Sequence, residues 1–499
     1  MNRTRELARS SLSILASQGL TTIISIVFIA YFARAFSKEQ MAVYATLTMM
    51  SGWIGWIGEM GMGTLIEKDV AQLEAAGNHN QAKRLISSVI AYRLGMMAIV
   101  TLAFLWASPY FTWRFFGNHE FLPLIRYVVV ISFILAVMES LGGVQGATQR
   151  FVSSSAIGVT TVLAQRGLCV IGFFTAGIFG FFSGFLAATL LGLALCLLDI
   201  HRYLTWNLLP FREIFRQSRG YFGLGMIKVA ADQIDRPIVA SFLGAEALAS
   251  YHIAKRLYDN LYGVARAFLV PIGIKFGEVK VEGAEALSSF FHQTQVVVFH
   301  LFIPLGFFLI ATSKSLLLLY GGEKYASSSP ILAAFGFTLM ALVIWVMIRQ
   351  VALRLIPVRY LAIQYLTTSA VTIFSYCLLI PLWGESGIPI AMGLGYIIGL
   401  VPTAHQLQKN WSLKLPLRQM LLSSICGLCI LGVMFPASMV LPGLRHLVLA
   451  SVFSMLIYSA WLYFIGPLEV ENLFRTFCSR VPLVRGIFSK SHSPSGKIP

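Results

Sequence analysis

Apolar runs about twenty residues long, broken by short polar turns, recur from one end of the chain to the other. A hydrocarbon core about 30 Å thick takes roughly 20 residues of helix to cross. Inside it every backbone amide must be bonded within the protein, so spans are helices or closed barrels. Barrel strands would read as alternating segments of roughly 10 residues, whereas these runs are longer and apolar throughout. The pattern predicts an all-α polytopic membrane protein of about fourteen transmembrane helices. They lie near 11–33, 41–65, 85–108, 122–146, 152–176, 178–198, 220–243, 247–271, 291–312, 328–350, 359–383, 386–407, 419–441 and 444–466. The first follows Arg3, Arg5 and Arg9 as a signal sequence would, but its length marks it as a retained span. Beyond 467, Leu468, Leu473, Phe474 and Phe477 are interleaved with Arg475, Arg480 and Arg485, the pattern of a basic helix on a membrane surface.

Composition agrees. Of 499 residues 57% are hydrophobic and 12% charged, against roughly 25% charged in soluble chains. The net charge of +17 would suggest nucleic acid in a soluble protein. In a membrane protein it reflects loops that collect Lys and Arg on the cytoplasmic side, and no nucleic-acid partner is expected. With the N-terminus inside, 24 basic residues fall on the inner side and 7 on the outer. That predicts both termini in the cytoplasm and an inner (plasma) membrane location. Cys169, Cys196, Cys377, Cys426 and Cys429 lie in apolar runs and Cys478 in the tail, so they read as small packing residues and not as a disulfide framework.

The chain repeats itself. Phe36 to Tyr44 matches Leu243 to Tyr251 at an offset of 207, with Glu, Ala and Tyr coinciding. Phe116-Gly117 matches Tyr320-Gly321 at 204, and Gly177-Ile178 matches Gly387-Ile388 at 210. Six spans per copy start both copies on one side, so the repeats are parallel. The expected organisation is an N-lobe at 1–210, a C-lobe at 211–415, two additional helices at 416–466 and a basic cytoplasmic tail at 467–499.

At these residues the chain resembles the polysaccharide flippase branch of the multidrug/oligosaccharidyl-lipid/polysaccharide exporter superfamily. The likeness rests on Ala33 to Tyr44, on Asp235-Arg236-Pro237 followed by Phe242-Leu243-Gly244 and Ser250 to Leu257, and on Leu319 to Tyr325. The first loop departs from it, with Ser37-Lys38-Glu39-Gln40 where relatives have a Leu-Gly-Pro-Glu-like turn. The resemblance implies a V-shaped, two-lobed transporter that flips isoprenoid-diphosphate-linked glycans by alternating access. Its partners would be that glycan, membrane lipids and polysaccharide polymerase or export proteins.

A diphosphate dragged through hydrocarbon needs a wet, cationic groove, because a bare ion in a low dielectric costs tens of kcal/mol by Born estimates. Ionisable residues inside spans are the candidates. Seven are basic: Arg93, Arg166, Lys228, Arg236, Lys255, Arg256 and Arg266. Five are acidic: Glu59, Glu139, Asp232, Asp235 and Asp259. Lys228, Asp232 and Asp235 share a helix face, and Arg236 is placed to pair with Asp232. They form either a phosphate-holding stripe or an internally neutralised packing stripe. Lys255, Asp259, Tyr262 and Arg266 share a second face, near Tyr251 and Tyr258. Arg93 and Arg166 are either phosphate ligands or partners of Glu59 and Glu139. The carboxylates are also candidates for proton or Na⁺ coupling. The second span carries Gly52, Gly55, Gly58, Gly61 and Gly63, and Gly142 and Gly146 form a GxxxG step; both read as close packing or a bend, and a gating hinge is the sharper alternative. Trp106, Tyr110 and Trp113 read as interfacial anchors.

No cofactor is expected, the histidines show no metal-ligand spacing, and there is no phosphate-binding loop motif. The expectation is a transporter and not an enzyme. A cation or multidrug antiporter of the same superfamily is the first alternative, opposed by the excess of bases. A membrane glycan polymerase is the second, opposed by outer loops of about 15 residues or fewer.

Overall fold

The computed structural model describes residues 19, 21–70, 73, 77–148, 150–441 and 443–464. Among these residues the chain is helical, with no strand. The elements are α1 (Thr21–Ala35), α2 (Lys38–Glu59), α3 (Met62–Leu65), α4 (His79–Phe116), α5 (Leu122–Ala147) and α6 (Phe151–Ile200). Then come α7 (Phe211–Gln233), α8 (Asp235–Glu282), α9 (Ala284–Gly321), α10 (Ser329–Leu355) and α11 (Val358–Trp383). The last are α12 (Gly387–Gly399), α13 (Val401–Trp411), α14 (Leu417–Val440) and α15 (Gly443–Phe464). Among the described residues eight helical runs are long and apolar enough to cross a membrane. Each of the fourteen expected spans coincides with a helix, since some runs hold two spans; α6 carries the fifth and sixth, joined at Ala176-Gly177. The start of the first span and the tail beyond 464 lie outside the described residues.

The chain divides into two compact units. One is Met1–Ile253 with Tyr320–Tyr325, the other Ala254–Leu319 with Ala326–Pro499.

In the first unit, α2 begins with a capping box. The backbone N–H of Gln40 donates to the Ser37 hydroxyl at 3.1 Å, and the Ser37 N–H donates to the Gln40 side chain at 3.1 Å. The helix stops at Glu59, where Met60 (φ 46°) and Gly61 (φ 72°) are both left-handed. It restarts as α3 and passes into one turn of π-helix at Ile66–Val70. The glycine-rich second span is therefore bent, as its composition suggested. Close packing holds at Gly58, where a Cβ would stand 2.3 Å from Met97 Cγ, but not at Gly142 or Gly146, which have no neighbour within 4 Å. Asp199 ties α5 to both ends of α6. It accepts from Gln145 Nε2 at 2.9 Å and Ser153 Oγ at 2.7 Å, and pairs with Arg150 at 2.7 Å.

The internal repeat is written in the backbone. In the first unit, Ala176 (φ −139°, ψ 25°) and Gly177 (φ 59°, ψ −139°) turn the chain between two helices. In the second, Trp383 (φ −126°, ψ 10°) and Gly384 (φ 55°, ψ −134°) do the same 207 residues on. A Cβ on Gly180 would lie 1.9 Å from the carbonyl oxygen of Gly172, and one on Gly387 would lie 2.4 Å from that of Leu379. Both members of that contact are shifted by the same 207. The match of Gly177 with Gly387 is therefore three residues out of register: Gly177 corresponds to Gly384, and Gly387 to Gly180. Only a residue without a side chain lets two backbones approach so closely, which is how helices associate in lipid. In the second unit, Gly395 and Gly399 likewise lay α12 against α11, each with a Thr hydroxyl 1.9 Å from where its Cβ would be.

Cys169, Cys196 and Cys426 are buried, as expected of packing residues, whereas Cys377 and Cys429 are exposed on their helices. Cys478 lies outside the described residues. Trp106, Tyr110 and Trp113 stand out from α4, all three exposed.

Candidate functional site

Glu59 is the last residue of α2, and the bend at Met60-Gly61 brings Gly63 back beside its carboxylate. Its Oε1 occupies the place a Cβ of Gly63 would take, 2.0 Å from that point, and Nη1 of Arg93 lies 3.5 Å from the same point. Gly63 thus makes room for a carboxylate and a guanidinium side by side. Both face a cavity of about 280 Å³ inside the first unit. Arg93 reaches it from α4 and is buried. Glu139 and Ser140 reach it from α5, and Ser51 and Trp56 from α2. Gly52, Gly55 and Gly143 give it bare walls. Three of the twelve ionisable residues expected to matter, scattered across three spans in sequence, meet here.

Two carboxyls stand against one guanidinium, so the expected excess of bases is not found in this cavity. The arrangement can do two things. A guanidinium offers a planar fork of donors that matches a phosphate or carboxylate. A pair of carboxyls facing a wet cavity can exchange a proton or hold a small cation. Among the described residues no cluster of three or more His, Cys, Asp and Glu could hold a metal ion.

The other expected residues are distributed differently. The Gln233 amide oxygen lies 3.5 Å from where a Cβ of Gly52 would stand, at the cavity wall, and it accepts from Arg236 Nη1 at 3.5 Å. Arg236 is thus one side chain removed from the cavity, and it is buried. Asp235, also buried, accepts a hydrogen bond of 2.5 Å from the hydroxyl of buried Tyr251, which ties the start of α8 to its next segment. Arg166 sits with its guanidinium carbon 4.2 Å from the centre of the Phe28 ring and donates to Ser25 Oγ at 3.2 Å. Its partners are therefore on α1, not the Glu59 or Glu139 considered from sequence. The side chains of Lys228 and Asp232 lie outside the described residues. In the second unit Lys255 is buried, Arg256 and Asp259 are half-buried and Arg266 is exposed. Tyr258 stacks on Phe335 at 4.6 Å, so this tyrosine is a packing residue.

Sequence reasoning missed Ser51, Ser140 and Gln233 at the site, and the Asp199 cluster outside it. Neutral polar residues in apolar runs carry no signal until the helix faces are known. Asp199 ends an apolar run and reads as a loop acid.

The fold and this polar, charge-lined interior are those of a polytopic membrane protein. A structure of the lipid II flippase MurJ in an inward closed conformation superposes with a TM-score of 0.73 at 16% identity, covering 92% of this chain and 99% of that one. An inward-facing multidrug resistance MATE family transporter of the MOP superfamily gives a TM-score of 0.64 at 13% identity, covering 79% of this chain and 94% of that one. The Vibrio cholerae MATE transporter VcmN in its bent form gives 0.55 at 18% identity, covering 82% and 97%. No curated protein matches by sequence. Residues 31–330 match the model of a family described as polysaccharide biosynthesis protein. The chain belongs to that family.

Proposed function

We propose that the protein is a flippase that carries a polyprenyl-diphosphate-linked oligosaccharide, the repeat unit of a surface polysaccharide, from the inner to the outer leaflet by alternating access. The observation that carries this reading is the conjunction of a polysaccharide-biosynthesis family assignment over residues 31–330 with an exporter fold over 92% of the chain. The geometry supports it. A diphosphate is recognised by the planar donor forks of arginine, and buried Arg93 is such a fork, with Arg236 next to the cavity wall. Arg166, Lys228, Lys255, Arg256 and Arg266 are further candidate ligands of the anionic cargo, while Glu59 and Glu139 are candidates for coupling to proton or Na⁺ movement, with Asp232, Asp235 and Asp259 as pairing groups. The two repeats at 1–210 and 211–415 are the moving parts. The location is the inner membrane with both termini in the cytoplasm. Polysaccharide polymerase or export proteins are the partners that would take up the flipped unit.

One observation favours a second reading, a cation antiporter. The described cavity carries two carboxyls to one guanidinium, a balance that suits a cationic cargo. Proteoliposomes holding a fluorescent polyprenyl-diphosphate oligosaccharide separate the two. Protein-dependent exposure of the sugar to an external glycosidase supports the flippase. Ion-gradient-driven uptake of an organic cation without sugar exposure replaces it with the antiporter.

A further inference from the structure

The segment that joins the two repeats, residues 204–210, is neither helix nor free loop. It is a strip, bent at Trp206, pinned along α4. The backbone N–H of Thr205 donates to Ser87 Oγ at 2.7 Å, and that of Leu209 to Ser88 Oγ at 2.7 Å. The Tyr92 hydroxyl donates to the Leu209 carbonyl at 2.6 Å. Tyr203 and Leu209 pack against the core of Leu65, Ile66, Ile86, Ile200 and Ile214. With Tyr203, Thr205 and Leu209 half-buried against the protein and the chain bending at Trp206, the side chains of Leu204, Trp206, Leu208 and Pro210 face out. All four are apolar and exposed, Trp206 completely so at 100%. Pinning by three hydrogen bonds leaves this row no means of turning inward.

A row of that kind in water would be an error of design. At the rim of a bilayer it is an anchor, because indole and leucine settle at the headgroup boundary. The charges around it choose the lipid. Arg202, Arg212, Arg216 and Arg219 are all exposed, and the one acid among them, Glu213, is half-buried. Clustered arginines beside an apolar interfacial row are drawn to anionic headgroups. We propose that residues 202–219 form a docking surface for an anionic phospholipid interface, with Trp206 as its wedge, so that the junction of the two repeats is fixed at membrane height. This reading does not depend on which cargo is carried.

The test uses the full-length protein in nanodiscs of phosphatidylcholine, with or without phosphatidylglycerol. A nitroxide on Trp206→Cys, in a background of Cys377→Ser, Cys429→Ser and Cys478→Ser, is compared with one on His119→Cys, an exposed loop residue between α4 and α5. The label at 206 is expected to collide several-fold more with oxygen, relative to a water-soluble nickel chelate, than the label at 119. Equal chelate access at the two sites overturns the proposal. So does shielding from both reagents, which would mean that protein covers the strip. Without any label, brominated lipid should quench the wild type more than Trp206→Phe. That difference should grow with phosphatidylglycerol and lose the growth in the variant Arg202→Gln, Arg212→Gln, Arg216→Gln. A quenching difference independent of headgroup charge overturns the anionic half, and no difference overturns the anchor.

Discussion

Gly63 is the residue on which the candidate site turns. A methyl group there would stand 2.0 Å from Glu59 Oε1, and overpacking of this kind costs about 1–3 kcal/mol. The cheapest relief is to swing the carboxylate away from Arg93. Gly63→Ala is therefore expected to abolish most transport while the protein still reaches the membrane in normal amount, measured as surface glycan against immunoblotted protein. Full activity would show that the Glu59–Arg93 neighbourhood is not used. Arg93 itself separates charge from shape. If its fork holds phosphate, Arg93→Lys keeps part of the activity and Arg93→Ala almost none, because a lysine supplies the charge without the planar bidentate donors. Glu139→Gln is expected to leave glycan binding intact and remove the dependence of transport on the ion gradient. The sequence put Glu59, Arg93 and Glu139 on the candidate roster because charge inside a span is costly. It could not say that they converge, since which faces of α2, α4 and α5 meet is not written in a hydropathy pattern.

Helices were legible because membrane spans announce themselves by length and composition, and every expected span has its helix. Their faces were less so. The GxxxG at Gly142 and Gly146 met nothing within 4 Å, while Gly180 and Gly387, which no motif singled out as packing sites, sit against backbone carbonyls at 1.9 and 2.4 Å. Spacing shows that two glycines share a face but not what the face meets. Gly180→Ala and Gly387→Ala should each lower the melting temperature of the detergent-solubilised protein, by similar amounts, since they occupy equivalent hairpins. Gly142→Ala should leave it unchanged or raise it, alanine being the better helix former by about 1 kcal/mol. A harmless Gly387→Ala would break the equivalence. At the start of α2 the capping box makes a smaller claim: Ser37→Ala should cost about 1 kcal/mol. A backbone N–H at Glu39, followed by the Ser37 hydroxyl, stabilises the Glu39 carboxylate and holds it below its ordinary value of 4.5. A depressed carboxyl contributes stability above that ordinary value and loses it as pH falls through the lower folded one. The penalty of Ser37→Ala should accordingly shrink in acid.

At the scale of the whole molecule the repeat is the organising fact, and within the first unit its equivalent turns meet. Lys38 lies in the turn after the first span, and Glu246 in the matching turn 207 residues on; they pair at 3.3 Å. The ammonium of Lys324, in the second repeat's later turn, donates to the carbonyls of Arg34, at 3.1 Å, and Phe36. Reciprocally, the first repeat's later turn meets the second's early one, with Phe115 O 3.7 Å from where a Cβ of Gly244 would stand. One turn touches its own counterpart, and two crossed contacts join early and late turns, all within the first unit. These turns lie at the beginning of α2, whereas the cavity lies at its far end. A transporter that alternates must part such contacts at one end when it opens there. An exposed ion pair is worth about 0–1 kcal/mol, so Lys38→Gln should barely change stability. A short bifunctional thiol cross-linker joining Lys38→Cys to Glu246→Cys, in the background freed of Cys377, Cys429 and Cys478, should instead stop transport altogether and release it on cleavage. Undiminished transport in the cross-linked protein would mean that these turns stay together throughout the cycle, and that the cargo leaves by a route that does not part them.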